Sequence, residues 1–272
     1  MTAPPRPLEA ERRLVLVVLL GLAAIAWVIV VWQAVTMDDG RTGMGMDMAG
    51  AGIGTAGSLD LTMEMAAPLF LAMWVAMMVG MMFPASAPMI VAFARSQSKK
   101  GLEGSSVVPT WVFVAPYVAV WLLFGAVGYG MAVTVERLAD GSTWASDDVS
   151  RLAALLLVAA GGYQLTPLKR VCLSRCRSPL SFMLSYWQPG RWGAVKMAFR
   201  HGLFCVGCCW VLFLVLFPLG VMNVAAMLAV AALVFAEKAL PGGERVARVA
   251  AVVLIAYGVL ALAVPEALPT AV

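Results

Sequence analysis

The stretch LVLVVLLGLAAIAWVIVVWQAV, residues 14–35, decides the fold class because it is an unbroken apolar run long enough to cross a lipid bilayer. About 20 apolar residues span the ~30 Å hydrocarbon core of a membrane as a helix. A secretory signal peptide is the alternative, but the run is long and no obvious small-residue cleavage site follows it. We therefore interpret it as a retained membrane anchor.

Comparable apolar runs recur along the rest of the chain. They lie at 66–93, 107–135, 149–170, 202–219, 221–238 and 247–264. The composition, 62% hydrophobic and 12% charged, is far from that of a soluble globular domain. Barrel strands would be shorter and would alternate in polarity. The sequence predicts an all-α transmembrane bundle of about seven spans, with six or eight as alternatives because FPLGVMN divides the fifth and sixth runs weakly. Those two runs could form one re-entrant unit.

The distribution of basic residues predicts the orientation of the bundle. With a cytoplasmic N-terminus, seven spans place all but Arg41, Arg137 and Arg151 of the nineteen Lys and Arg residues inside, as basic loops prefer. The net charge of +4 then reflects topology and does not indicate nucleic-acid binding. The predicted division is a cytoplasmic segment 1–13, the anchor 14–35, an extracytoplasmic Met/Gly/Asp-rich loop 36–65, a metal-binding bundle 66–264 and a tail 265–272.

The scarce cysteines and the single histidine form two groups. In HGLFCVGCCW, residues 201–210, a helix would place His201, Cys205, Cys208 and Cys209 within an arc of about 100°. In VCLSRC, Cys172 and Cys176 are four residues apart, on one face of a helix. The predicted topology puts both groups at the cytoplasmic boundary, where they could face each other across two helix ends.

These residue types favour a soft metal. Cytoplasmic thiols stay reduced, and neighbouring cations favour thiolates, which bind Cu(I), Zn(II) or iron–sulfur clusters. The flanking cations are Lys169, Arg170, Arg175, Arg177 and Arg200. The alternatives are that the cysteines pack as small hydrophobic side chains and that His201 is merely solvated at the interface. We predict a metal site built from the five cysteines and His201.

Methionines follow the second run in two stripes. In MWVAMMVGMMFPASAPM, one stripe consists of Met73, Met77 and Met81, and the other of Met78 and Met82. Packing would explain them equally well. The preceding loop, however, has no core to fill, yet contains GMGMDM with Met44, Met46 and Met48. Exposed thioethers suit Cu(I) capture, so we predict a path from this loop along the stripes to the thiolates.

Polar residues within the apolar runs give further expectations. Gln164, together with Tyr163 and Thr166, is expected to face the bundle interior. Glu237 and Lys238 are expected to anchor the sixth run at the interface, or to pair with each other or with the basic segment 169–201. Two prolines, Pro84 and Pro88, are expected to interrupt the second span or to form a hinge in it.

Three blocks carry a family resemblance. They are MWVAMMVGMMFPASAPM, GGYQLTPLKRVCLSRCRSP and HGLFCVGCCWVLFLVLFPLGVMNVAAMLAVAALVFAEK. Together, over about residues 68–240, they resemble a bacterial family described as predicted metal-binding integral membrane proteins. The resemblance implies a multi-pass protein of the bacterial plasma (inner) membrane that binds metal, without a reaction or a transport direction. The methionine spacing is also similar in site chemistry to Ctr-type copper transporters, which have fewer spans and trimerise.

Three functional hypotheses follow. The first is Cu(I) uptake or delivery to a cuproenzyme, with the lipid bilayer, a copper chaperone, a cuproenzyme or a larger membrane complex as partners. The second is an accessory or assembly subunit of a membrane complex that holds a structural Zn(II). The third is a membrane thiol oxidoreductase, which the adjacent Cys208 and Cys209 favour only weakly because no CxxC lies in a thioredoxin-like context. No catalytic residue is predicted.

Overall fold

The computed structural model of the protein describes residues 7–43, 67–102, 106–139, 146–216 and 223–264. In these ranges the chain forms helices and no strand, which confirms the all-α prediction. The helices are α1 (Pro7–Gly43), α2 (Ala67–Leu102), α3 (Trp111–Ala139), α4 (Ser146–Gln164), α5 (Pro167–Arg177), α6 (Pro179–Tyr186), α7 (Gly190–Leu214), α8 (Val224–Ala239) and α9 (Gly243–Ala263).

The helices long enough to cross a membrane are fewer than the seven predicted spans. Five of the described helices qualify by length and composition, namely α1, α2, α3, α7 and α9, and the pair α4 and α5 makes a sixth if its 63° bend lies within one span. The remaining run corresponds to α8, which has only 16 residues. Most of the FPLGVMN division lies outside the described residues, so the re-entrant alternative stays a prediction, as does the orientation.

The basic segment between the fourth and fifth runs is largely helical rather than a loop. Helix α5 begins after Thr166, whose hydroxyl caps it by accepting a hydrogen bond from the Lys169 amide at 3.3 Å. Pro179 and Pro189 mark helix boundaries, as expected of proline near a helix start. Because α7 begins at Gly190 instead of 202, the His201–Cys209 stretch lies in the middle of a helix.

Aromatic side chains join α2, α3 and α7 into the central layer of the bundle. The Trp74 indole N–H of α2 donates to the Trp121 carbonyl of α3 at 2.9 Å. Phe213 of α7 packs edge-on against Trp121, with ring centroids 5.3 Å apart. Helix α2 runs unbroken through Pro84 and Pro88, so the expected interruption of this span is wrong.

Close contact between α4 and α9 depends on glycine. A Cβ added at Gly161 would lie 2.8 Å from the Ala251 carbonyl oxygen, and one at Gly258 would lie 2.9 Å from the Ala154 carbonyl oxygen. Small residues let helix backbones approach in this way in membrane bundles. The pair holds the end of α4, and therefore the start of α5, in a fixed position beside α7.

Candidate metal centre

One face of α7 carries the predicted ligands into the protein interior. His201, Cys205, Cys208 and Cys209 are all buried, with at most 2% of each side chain exposed. This is the shared face that the sequence spacing predicts for a helix. The four side chains therefore lie where lipid and water cannot reach them directly.

Helix α5 brings the other two cysteines to the same place. The Cys176 thiol lies within hydrogen-bonding reach of Cys205 and Cys208. Cys172 packs on Gly207, where an added Cβ would lie only 2.8 Å from its sulfur. All five cysteines are free thiols. The packing of α5 on α7 thus assembles one thiol cluster, by which we mean Cys172, Cys176, Cys205, Cys208 and Cys209.

A lysine ammonium group lies inside the sulfur environment. Lys238 of α8 donates to the Cys205 sulfur at 2.9 Å, and its Nζ lies 3.7 Å from the Met82 sulfur of α2. The sequence had suggested that Lys238 anchors the helix at the membrane interface. Its side chain is instead buried. Helices α2, α7 and α8 therefore meet around a single positive charge held by a thiol and a thioether.

Tyr117 of α3 closes the other side of Cys205. Its hydroxyl shares hydrogen bonds with the Cys205 sulfur at 3.2 Å and with the Ser86 hydroxyl at 2.7 Å. No motif in the sequence marks Tyr117 or Ser86 as a site residue. The available signal was a tyrosine inside an apolar run, since a buried phenol needs a hydrogen-bonding partner.

His201 lies one helical turn before Cys205 and has no hydrogen-bonding partner among the described residues. Both of its ring nitrogens are buried and unsatisfied. The imidazole is enclosed by the rings of Phe113, Tyr117 and Phe182, whose centroids are 6.1, 5.6 and 5.4 Å away. A buried polar group without a partner costs free energy, which a bound ligand can recover. The imidazole is consequently an unsatisfied group one helical turn from Cys205.

The cluster does not have the geometry of a preformed tetrahedral site. Among the described residues, no three His, Cys, Asp or Glu side chains are arranged so as to hold a metal ion. The Cys208 and Cys209 thiols instead donate to the Cys205 carbonyl at 3.1 and 2.8 Å, and Lys238 engages the Cys205 sulfur. A structural zinc site needs four converging ligands. The sulfur donors present, thiol and thioether, are soft ligands of the kind that bind Cu(I), zinc and iron–sulfur clusters.

The two methionine stripes reach different neighbours. The buried members are Met77, Met78, Met81 and Met82, while Met73 is only partly buried. Met77 and Met81 lie where α2 meets Trp27 of α1 and Met227 of α8. Met82 is linked to the thiol cluster indirectly, because the Lys238 ammonium lies beside both the Met82 and the Cys205 sulfur. The loop residues Met44, Met46 and Met48 lie outside the described residues.

A buried ion pair fixes α8 against α5 beside this cluster. The Lys169 ammonium donates to a Glu237 carboxylate oxygen at 2.7 Å, and both side chains are 1% exposed. Glu237 is therefore paired with the basic segment, one of the alternatives that the sequence left open. Because Glu237 precedes Lys238 directly, the ion pair also sets the position of the lysine that contacts Cys205. Gln164 is buried too, which confirms its predicted inward orientation.

The comparison with known protein families identifies the chain. The model of the family PpoB2, described as copper chaperone, matches residues 71–261. The chain belongs to this copper chaperone family. The matched region of the chaperone contains every cysteine, His201 and the stripe methionines, and it leaves out α1 and the Met44–Met48 segment. No curated protein and no solved structure matches the chain. The predicted link to copper is thereby confirmed at the level of the family.

Proposed function

We propose that this copper chaperone binds Cu(I) inside a membrane-spanning helical bundle and delivers it to a cuproenzyme. The observation that carries the proposal is the ammonium group of Lys238, 2.9 Å from the Cys205 sulfur and 3.7 Å from the Met82 sulfur. A group with a single positive charge thus already lies between the Cys205 and Met82 sulfur atoms. Cu(I) carries the same charge, and unlike the ammonium group it bonds strongly to thiolate and thioether sulfur.

The ligands are assigned from the same contacts. Cys205 and Met82 form the core of the site, and Cys176 and Cys208 lie within reach of Cys205. His201, with two free ring nitrogens one turn away, is an additional donor. Cargo binding requires the Lys238 ammonium to leave Cys205 and the Cys208 thiol to turn away from the Cys205 carbonyl. Such a site binds copper through rearrangement, which suits a protein that must also release it.

The methionine stripes provide an entry path to this site. Met77, Met81 and Met82 are buried along α2, and four-residue steps at 1.5 Å rise separate neighbours by ~6 Å along the axis. Several weak sites in series allow passage, whereas one strong site would trap the ion. Transfer from thioethers to the thiol cluster runs from weaker to stronger ligands. Met44, Met46 and Met48 would capture copper before it enters the bundle.

The bundle itself is proposed to lie in the bacterial plasma membrane, with the N-terminus in the cytoplasm. Five to six described helices have membrane length and composition. Outward-facing side chains on the peripheral helices are apolar, for example Val17 of α1, 68% exposed, and Val249 of α9, 64% exposed. Lipid tails would cover these faces. Neither the Zn(II) hypothesis nor the thiol-oxidoreductase hypothesis has a comparable observation in its favour.

Replacement of two thiols tests the site. The Cys205→Ser/Cys208→Ser variant, purified in detergent after copper loading, is expected to lose its bound copper while keeping its helical circular dichroism signal. The control is Met197→Leu, a swap at a buried position on the same helix that removes no thiol. Undiminished copper in the folded double variant would show that the thiols serve packing alone.

Replacement of three methionines tests the path separately. Leucine at Met73, Met77 and Met81 keeps the apolar volume nearly constant, at a usual cost below about 1.5 kcal/mol per site. The triple variant should therefore accumulate normally and retain the copper site, while metallation of the receiving cuproenzymes slows. If those enzymes acquire copper at the wild-type rate, the stripe is a packing element and the proposed path is wrong.

A further inference from the structure

A polar cavity lies outside the thiol cluster, where the bend between α4 and α5 packs against α9. Its volume is about 400 Å³, within the range of roughly 300–1,000 Å³ typical of small-molecule sites. Its walls combine the apolar side chains Leu165 and Leu173 with polar groups from all three helices. The proposed copper chemistry uses none of this space.

An unsatisfied amide lines the cavity. Gln164, at the end of α4, is 5% exposed and lies beside the Glu237 carboxylate, but neither its side-chain nitrogen nor its oxygen forms a hydrogen bond of ordinary geometry with any described residue. A buried amide in this state costs roughly 1–3 kcal/mol unless something satisfies it. Its NH₂ group can donate two hydrogen bonds to an acceptor inside the cavity. The residue thus points to a ligand that accepts hydrogen bonds.

The charges around the cavity indicate that this ligand is an anion. Arg170 of α5 and Arg248 of α9 both line the cavity, and neither forms a salt bridge with any described residue. Lys169 also lines the space, but Glu237 neutralises it. Glu244 supplies one opposing carboxylate. The two guanidinium groups without a salt bridge therefore give the cavity a net positive charge despite the one carboxylate. A planar guanidinium group can donate two parallel hydrogen bonds to phosphate oxygens.

We propose that this cavity binds a phosphate group, carried either by an anionic phospholipid or by a small soluble molecule. Arg170 and Arg248 bind the phosphate oxygens from two helices, and the Gln164 amide donates hydrogen bonds to the same oxygens from the cavity wall. Leu165 and Leu168, which are 47% and 59% exposed beside the bend, offer an apolar surface for acyl chains. Basic pockets between membrane helices hold lipid headgroups in this way.

Native mass spectrometry of the detergent-solubilised full chain provides the test. The probes are phosphatidylglycerol, phosphatidylcholine and, in lipid-free detergent, inorganic phosphate. We expect phosphatidylglycerol to be retained in preference to phosphatidylcholine, and Arg170→Gln/Arg248→Gln to weaken that retention by roughly tenfold for each lost charged contact. The matched control, Arg95→Gln/Arg191→Gln, removes two exposed arginines elsewhere and should bind like the wild type.

The inorganic phosphate arm distinguishes the two sources. Displacement of phosphatidylglycerol by millimolar phosphate, or thermal stabilisation by phosphate alone, identifies a soluble ligand, whereas an effect of phosphatidylglycerol only identifies a lipid. The proposal would be overturned if Arg170→Gln/Arg248→Gln and the control Arg95→Gln/Arg191→Gln bound phosphatidylglycerol equally well and also bound inorganic phosphate equally well.

A third variant separates ligand binding from a structural role. Gln164→Met should weaken phosphatidylglycerol or phosphate binding without lowering thermal stability, because it removes an unsatisfied amide. A loss of stability with unchanged binding would contradict the assignment of Gln164. Bound copper should stay at the wild-type level in all three variants, so the copper and phosphate proposals can fail independently.

Discussion

The buried ion pair between α5 and α8 gives the sharpest prediction about stability. Replacing Lys169 by Met removes the ammonium group 2.7 Å from Glu237 and leaves a carboxylate whose side chain is 1% exposed without its charged partner. Lys169 contacts the carboxylate oxygen Oε2, and the other oxygen, Oε1, accepts no hydrogen bond from any described residue. Lys169→Met therefore leaves a buried acid without its ion-pair partner, with Gln164 and Lys238 as the remaining polar groups near it.

The expected cost follows from that burial. Removing one partner of a buried pair typically destabilises a protein by about 3–5 kcal/mol, whereas replacing both partners by apolar residues of similar volume is often neutral or stabilising. We expect Lys169→Met and Glu237→Met each to cost about 3–5 kcal/mol. The double variant Lys169→Met/Glu237→Met should lie within about 1 kcal/mol of the wild type. The two substitutions should thus be strongly non-additive.

The assay is the free energy of unfolding, measured by SDS titration in mixed micelles and followed through tryptophan fluorescence. The control is Lys196→Met, which removes an exposed lysine from α7 and should change stability by less than about 0.5 kcal/mol. Additive losses, or a Lys169→Met variant as stable as the Lys196→Met control, would show that the pair does not hold α8 in place.

Three further predictions concern packing, topology and the histidine. Gly161→Ala should destabilise the protein by about 1–3 kcal/mol because its new Cβ meets the α9 backbone. Gly162→Ala, where nothing lies within 4 Å, should be nearly neutral in the same unfolding assay. An impermeant thiol reagent applied to intact cells should leave all five cysteines unlabelled, and efficient labelling would reverse the proposed orientation. His201→Leu should preserve thermal stability, because no hydrogen bond is lost, and should weaken Cu(I) binding; unchanged binding would exclude the imidazole as a ligand.

Sequence patterns located most of the helices and the shared faces of the predicted ligands. Apolar runs of membrane length located α1 to α4 and α7 to α9, since run length alone constrains a chain in lipid. Helices α5 and α6 were missed because they lie in the basic segment 169–201, which has no such run. Four-residue spacing placed Cys172 with Cys176, and His201 with Cys205, because helix geometry depends only on local sequence.

The details that depend on contacts between helices could not be predicted in this way. Nothing local in the sequence shows that Lys238 turns inward to Cys205, because the charge is stabilised by a thiol 33 residues away. The same holds for Glu237 and Lys169, which are 68 residues apart in the chain. Pro84 and Pro88 were expected to interrupt α2 or to form a hinge in it, but the helix continues through both, as neighbouring helices allow in membrane bundles. Such pairings require the fold before they can be recognised.

Anaerobic Cu(I) titration of the purified protein against a chromophoric chelator tests the central claim most directly. The variants are Cys205→Ser and Met82→Leu, which remove the two sulfurs around Lys238, and the control is Met89→Leu, a buried position on the same helix. If these sulfurs hold the cargo, both variants lose Cu(I) affinity and the control keeps it. Wild-type affinity in a folded Cys205→Ser variant and a folded Met82→Leu variant would contradict the assignment of the copper site.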